Sequence, residues 1–340
     1  MADPTASPTV TASASASATG AAAPANATDA AKLERKQPTL ILLNPNASGG
    51  RARKLKRAID ANIALVQPRP MFFMTEDTRS ARRLVDALPA GSRVIIAGGD
   101  GSVQQLLPSL IVGGHTLGLV PIGSGNDTAR ALGVAGRNWR KALDIALHAP
   151  ASMMDIGEVS YRAAVGRGER RSTFISSLAV GFDASVTARA AAVPRWLTGL
   201  PRYLLATLAE LAALRSFSVR IQTDGQARHE GEVLLASSLN TRTYGAGMPI
   251  APPAKDDDGQ LDLMLAEGMN LTRVLKLLPA MLLGRHLGRD GVSHLRFREL
   301  EAYANGPLPI AADGEYLGEV LELRIIVRKA LLPVVRKPSA

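Results

Sequence analysis

Residues 93–130 read RVIIAGGDGSVQQLLPSLIVGGHTLGLVPIGSGNDTAR, and the fold follows from what this stretch repeats. Twice a short apolar run, first Val94 to Ala97 and then Leu117 to Ile122, leads into a glycine cluster followed by helix-forming residues. That is a buried strand, a glycine-rich turn and a helix, written twice. Gly98, Gly99 and Gly101 permit left-handed or crowded backbone, so successive N–H groups can converge on an anion. The helix after each turn adds its positive N-terminal end. Side by side at the carboxyl ends of parallel strands, two such turns form one crevice. Asp100 lies inside the first turn, and Asn126 and Asp127 follow the second. A carboxylate beside a phosphate repels it unless a cation intervenes, so the composition points to a magnesium nucleotide. Glycine turns also serve simply to reverse a chain, and Asp127 or Ser124 reads equally as a helix N-cap. The repetition of one context favours the phosphate site.

A chain of 340 residues with 46% hydrophobic content holds material for two cores. Lys and Arg outnumber Asp and Glu by 40 to 30, a surplus that suits an anionic partner. Aromatic residues make up only 4%, too few to supply base-stacking platforms, so nucleic acid is disfavoured and a membrane surface favoured. Without cysteine, disulfides, thiolate catalysis and Cys-based zinc sites are excluded. The five His residues show no paired metal-ligand spacing, so any metal is expected on oxygen ligands, which again suits magnesium.

Residues 1–36 are Ala, Ser, Thr and Pro with almost no large apolar side chain, which predicts a disordered tail without the features of a signal peptide. An α/β domain is expected over residues 37–150. Strands are predicted at Thr39 to Leu43, Met71 to Met74, from Arg93 and at Leu117 to Ile122. Helices are predicted from Arg51 to about Val66, from Ser80 to Ala87, after each glycine turn, and from Trp139 to Leu147. Arg51 and Arg53, beside the glycine turn at Gly49-Gly50, could reach phosphates. Residues 151–325 change to short strands separated by turns, an antiparallel sandwich or split barrel. These strands are expected at Met153 to Val159, Ala163 to Arg167, Arg171 to Ser177, Ser218 to Thr223, Glu230 to Asn240, Gln260 to Ala266, His294 to Leu300, Glu301 to Tyr303 and Tyr316 to Arg328. Residues 326–340 read as a C-terminal strand or tail able to return to the first domain. Ala190 to Arg215 and Leu271 to Leu287 are helical, leucine-rich and interrupted by charge, hence too short to span a bilayer. Both are expected to cover the β domain; the alternative is an apolar face lining a lipid groove, with basic flanks on headgroups.

The run Asn44-Pro45-x-x-Ser48-Gly49, then Gly98-Gly99-Asp100-Gly101-Ser102, then Pro121-x-Gly123-Ser124-Gly125-Asn126-Asp127, resembles the catalytic-domain family of diacylglycerol kinases, which includes sphingosine kinases and bacterial phospholipid kinases. Three later segments agree in order: Gly181-Phe182-Asp183-Ala184, then Asn240 through Gly245-Ala246-Gly247-Met248 to Asp262, and finally Asp313-Gly314-Glu315. The resemblance implies a Rossmann-like doubly wound nucleotide-binding domain, a β-rich lipid-substrate domain, and ATP in the cleft between them. It implies Asn44, Thr75, Gly98, Gly99, Asp100, Gly101, Ser102, Gly123, Ser124, Asn126 and Asp127 around the nucleotide. It makes Glu315 the general base, with Asp313 beside it and Asp100 linked to magnesium. It also implies a second, structural magnesium on the side chain of Asp258 and the backbone oxygens of Lys255 and Gln260. Three adjacent acids, Asp256 to Asp258, repel one another, and a cation is one way to hold them. As a loop acid, Asp100 is expected to carry few packing contacts. Where many members of the family have Asn-Glu after the first glycine motif, this chain has Gln104-Gln105, and where many bacterial members have Gly-Thr it has Gly123-Ser124. The implied activity is transfer of the ATP γ-phosphate to a lipid hydroxyl by a cytoplasmic enzyme bound peripherally to an anionic membrane, with a homodimer left open. A kinase of a soluble acceptor, or an inactive nucleotide- and lipid-binding module, remains the alternative.

Overall fold

The computed structural model describes residues 37–338 apart from 124, 167 and 194–199, so the tail expected at 1–36 and the position of Ser124 lie outside the described residues. Four strands, β1 (Thr39–Leu43), β2 (Met71–Met74), β3 (Arg93–Gly98) and β4 (Thr116–Pro121), pair in parallel in the order β2-β1-β3-β4. Leu40 to Leu43, Val94 to Ala97 and Leu117 to Val120 are buried throughout, as parallel strands covered on both faces require. A 3-10 segment (Ala47–Leu55) and five α-helices alternate with them: α1 (Lys56–Ile63), α2 (Thr78–Asp86), α3 (Asp100–Val112), α4 (Asp127–Ala131) and α5 (Trp139–His148). Asp77 caps α2 through the N–H of Ser80, and Asn138 caps α5 through that of Arg140. The strand order reverses between β1 and β3, and a crevice at that reversal is where such sheets take ligands.

The remaining elements are β5 (Ala151–Ala163), β6 (Glu169–Phe174), β7 (Ser177–Val180), α6 (Phe182–Ala192), α7 (Leu200–Ala212), β8 (Phe217–Thr223), β9 (Gln226–Leu239), β10 (Leu261–Glu267), α8 (Leu271–Leu282), β11 (Val292–Phe297), β12 (Glu299–Ala312) and β13 (Glu315–Val335). Their strand pairs are antiparallel and enclose a second core around Phe174, Leu263, Phe297 and Ile310. β13 joins the two halves. It starts at the β12 hairpin, runs beside β5, and ends parallel to β4 with Val334 opposite Leu117. Its Leu332 and Val334 are fully buried in the first core.

Several strands differ from those expected, each for a local reason. The run at Met153 to Val159 extends into one strand, β5, which ends at Ala163 and so takes in only the first residue of the run expected at Ala163 to Arg167, whose last residue lies outside the described residues. The run at Arg171 to Ser177 divides into β6 and β7, because the N–H groups of Ile175, Ser176 and Ser177 turn aside to one carboxylate, that of Asp313. The run at His294 to Leu300 breaks at Arg298, where the Asp224 carboxylate accepts from the N–H groups of Arg298 and Glu299 at 3.0 Å. β12 continues through Asn305-Gly306-Pro307, which reads as a turn. The register instead shifts between Tyr303↔Glu322 and Leu308↔Val320, leaving these residues in a bulge that tolerates a proline without N–H. Of the helix expected over Ala190 to Arg215, residues 190–192 end α6 and residues 200–212 form α7, while 194–199 lie outside the described residues.

Candidate active site

The two glycine turns touch through their backbones. A Cβ on Gly123 would lie 2.6 Å from the Cα of Gly99, and one on Gly99 would lie 3.0 Å from the Cα of Gly123. A Cβ on Gly98 would meet the Ser102 hydroxyl at 2.7 Å, whereas one on Gly101 would meet open space. Close approach, rather than a left-handed backbone, is what demands glycine at 98, 99 and 123, since none of the three has positive φ. The left-handed residue here is Asn126, at φ 59°, whose amide donates to the Gly123 carbonyl at 2.5 Å. Its side-chain oxygen is buried with no partner among the described residues. At the end of β1, the Asn44 amide donates to Ser102 Oγ at 2.8 Å, joining the first motif to the second. Thr75, at the end of β2, donates its N–H to the Leu43 carbonyl at 3.1 Å and so lines the same strand ends.

The acids of the turns are more engaged than the sequence suggests. Both oxygens of Asp100 cap α4, accepting from Asp127 N–H at 3.1 Å and Thr128 N–H at 3.0 Å, so this acid ties the two turns together instead of standing free of contacts. Asp127 is buried and faces the second half of the chain. It accepts from Thr243 Oγ1 at 3.1 Å and from Ala246 N–H at 3.0 Å, with the Arg130 guanidinium 3.7 Å away. Burial raises its carboxyl above the ordinary value. Its contacts hold the loop after β9 rather than reach the crevice. Arg53, expected near phosphate, pairs with Glu76 at 2.9 Å.

Asp313 and Gly314 form the two-residue turn between β12 and β13, with φ of 47° and 82° and Ala312 paired to Glu315, as an Asp-Gly hairpin turn does. The Asp313 carboxylate accepts from Ile175, Ser176 and Ser177 N–H at 2.8 to 2.9 Å. Burial pushes it up to about 7, the charge of Asp100 adds to the rise, and the three N–H donors oppose it. Glu315 is exposed at the tip, and its Oε1 accepts from Gln105 Nε2 at 3.3 Å. The hairpin therefore delivers Glu315 to the N-terminal half of α3, the helix that begins at Asp100. Gln104, one residue earlier, donates to the Thr173 carbonyl at 2.8 Å and ties α3 to β6.

Of the 256–258 acids, Asp256 is paired with Arg336 at 2.9 Å and Asp258 with Arg296, while Asp258 also accepts from Gln260 N–H at 3.1 Å. The mutual repulsion expected of these acids is thus relieved by arginines. Arg296 occupies one oxygen of the Asp258 carboxylate, so a cation held there with Lys255 and Gln260 would have to displace it. Among the described residues, no three His, Asp or Glu side chains converge as metal ligands.

Sequence reasoning passed over Asp155, which is fully buried and accepts from Gly259 N–H at 2.5 Å and Ala330 N–H at 2.7 Å. A single acid within an apolar strand, Met153-Met154-Asp155-Ile156, was its signal. Tyr244 also escaped notice; its hydroxyl and that of Ser237 both donate to Asp183, whose carboxyl burial raises. A cavity of about 270 Å³ is lined by α6, α7, β12 and β13, among them Ser185, Arg189, Glu210 and Tyr316, and by Arg215 from the loop after α7. Leu204, Leu205 and Leu208 of α7 and Leu271, Leu275 and Leu282 of α8 are exposed.

Residues 38–159 match the diacylglycerol kinase catalytic domain, and residues 176–335 match the YegS C-terminal NAD kinase beta sandwich-like domain. A diacylglycerol kinase of Mycobacterium tuberculosis is 32% identical over 277 residues, covering 81% of this chain and 87% of that one. A diacylglycerol kinase of Bacillus subtilis is 28% identical over 227 residues, 66% of this chain and 71% of its own. In fold, the chain is similar to the crystal structure of a diacylglycerol kinase from Bacillus anthracis, with a TM-score of 0.64 at 20% identity over 89% of this chain and 97% of that one.

Proposed function

Because the chain belongs to the diacylglycerol kinase family and is a lipid kinase by that membership, we propose that it transfers the γ-phosphate of ATP to a lipid hydroxyl, with Glu315 as general base. The observation that carries this reading is the meeting of the Asp313-Gly314-Glu315 hairpin with the N-terminal half of α3. The glycine turns and the start of α3 supply N–H groups for the phosphates, and the hairpin supplies a carboxylate for the attacking hydroxyl. The hydroxyl oxygen bonds to the γ-phosphorus while the bond from the γ-phosphorus to the β–γ bridging oxygen breaks. The hydroxyl proton passes to Glu315, and ADP leaves with the bonding electron pair.

Magnesium suits this crevice on the chemistry of its acids. Asp100 and Asp313 feel each other's charge, and each Asp100 oxygen, with one N–H donor, keeps acceptor capacity for a cation. Bound there, the ion would offset charge on the β- and γ-phosphates. The exposed leucines of α7 and α8, with Arg202, Lys276 and Arg285 among their neighbours in sequence, support a lipid acceptor and a peripheral site on an anionic membrane over a soluble acceptor.

The test is turnover of radiolabelled ATP against diacylglycerol, a sphingoid base and phosphatidylglycerol in mixed micelles, with an acceptor-free control. Phosphorylated lipid from one of them is expected; ATP turnover independent of lipid, or none at all, overturns the reading. Glu315→Gln keeps shape and loses basicity, so kcat should fall about 10² to 10⁴-fold with ATP affinity retained. Full turnover by this variant would move the role of base to Asp313.

A further inference from the structure

The tip of a two-residue hairpin is a poor place to hold a reacting group, because an exposed glutamate there samples several rotamers. Among the described residues, Glu315 has one side-chain partner, Gln105 on α3. Gln105 is itself fixed twice from α2. Its side-chain oxygen accepts from Thr78 Oγ1 at 2.6 Å, and its carbonyl accepts from Arg82 Nε at 2.8 Å.

The polarity of this chain of hydrogen bonds follows from chemistry. An ionised carboxylate only accepts, so Gln105 must turn its NH₂ toward Glu315. Its oxygen then faces Thr78, whose hydroxyl has to donate. A glutamate at 105 would set two carboxylates about this close together and drive one of them to bind a proton or a cation. The amide offers Glu315 a donor and adds no second charge beside it.

We propose that Thr78 and Gln105 form a positioning relay for Glu315: Thr78 sets the orientation of the Gln105 amide, and the amide occupies Oε1 of Glu315 so that Oε2 is turned to the acceptor hydroxyl. This rests on the reading of Glu315 as general base. Neither Thr78 nor Gln105 takes part in proton transfer. They narrow the positions from which Glu315 can accept a proton, and misplacement of a reacting group by about 1 Å can cost a factor near 10².

The relay predicts a loss confined to the chemical step. With radiolabelled ATP and the acceptor that the wild-type protein phosphorylates, Gln105→Ala and Thr78→Val should each lower kcat about 10-fold. KM for ATP should stay within about twofold. Thr78→Ser, which restores the donor, should recover most of the rate lost in Thr78→Val. In the Glu315→Gln background, Gln105→Ala should cost no further rate, because residues acting through one group are not additive. Thermal midpoints of all variants are measured alongside, so that a rate lost through unfolding is recognised; Thr78→Ser then decides, since a packing role does not require the hydroxyl. Unchanged kcat in Gln105→Ala, a rise in KM for ATP alone, or a full additional loss in the double variant overturns the relay and leaves the base assignment standing. Full turnover by Glu315→Gln overturns the base assignment itself.

Discussion

Asp100 caps α4 through two backbone N–H groups, and the proposed function gives its carboxylate a second role beside a magnesium nucleotide, so both pull a substitution in the same direction. Asp100→Ala should therefore abolish most turnover and, in addition, destabilise the fold by about 0.5–2 kcal/mol, the cost of losing a good N-cap. Turnover assays and urea denaturation check both; loss of activity at unchanged stability would show that the cap contributes nothing. The carboxylate at this position is legible in the sequence, since Gly-Gly-Asp-Gly after a buried strand marks a ligand turn. Its second partner is not, because the N–H groups it satisfies lie 27 and 28 residues away along the chain. Asp127 is the converse case. Its position after the second turn suggests a ligand to the nucleotide, and only the approach of Thr243 and Ala246 shows that its carboxylate also holds the loop after β9.

At the scale of elements, α7 and α8 are the helices that the structure leaves apolar on their outer faces. On α8, Val274 and Ala280 are buried while Leu275 and Leu282 remain 50% and 59% exposed; on α7, Ala206 is buried while Leu208 is 64% exposed. A helix that only covered a sheet would present polar residues outward. The covering role expected of these helices thus falls to one face of each, and the lipid-facing role proposed above would fall to the other. Changing Leu204, Leu208, Leu275 and Leu282 together to Gln should weaken sedimentation with phosphatidylglycerol vesicles by at least about 10-fold, at roughly 1.5–3 kcal/mol per buried leucine shared over partial insertion. Wild-type binding should also fall as salt rises. Equal sedimentation of wild type and variant, or equal binding to neutral and anionic vesicles, would count against a membrane role for these faces.

For the whole molecule, the buried titratable groups set how stability responds to pH. Asp127, Asp183, Asp256 and Asp313 all lie above the ordinary carboxylate value, burial being the first cause in each. A folded state that holds protons more tightly than the unfolded chain loses stability as pH rises. For Asp313 the window runs from its unfolded value of 3.8 to about 7: its contribution is complete below the first and gone above the second. His115 and His286, lowered by burial, act with the opposite sign, and their contribution is lost as pH falls below 6.5. The thermal midpoint of the wild-type protein relative to that of Asp313→Asn should accordingly fall from about pH 4 to about pH 7 and level off above. A difference that rises or stays constant across this interval would contradict the assignment.

The sequence by itself determined the parallel sheet, the two glycine turns, the change to antiparallel strands and the hairpin at Asp313-Gly314-Glu315. Each is written in local periodicity, in residues that only certain turns accept, or in motifs whose order survives translation into a fold. Tertiary structure alone decided which polar groups meet. The splitting of β6 from β7 by Asp313, the pairing of Arg296 and Arg336 with acids that looked like metal ligands, the contact of Gln105 with Glu315 across 210 residues, and the return of β13 to β4 are all of this kind. Hydrogen bonds and ion pairs depend on distances of a few ångströms between segments far apart along the chain, and no local pattern carries that information.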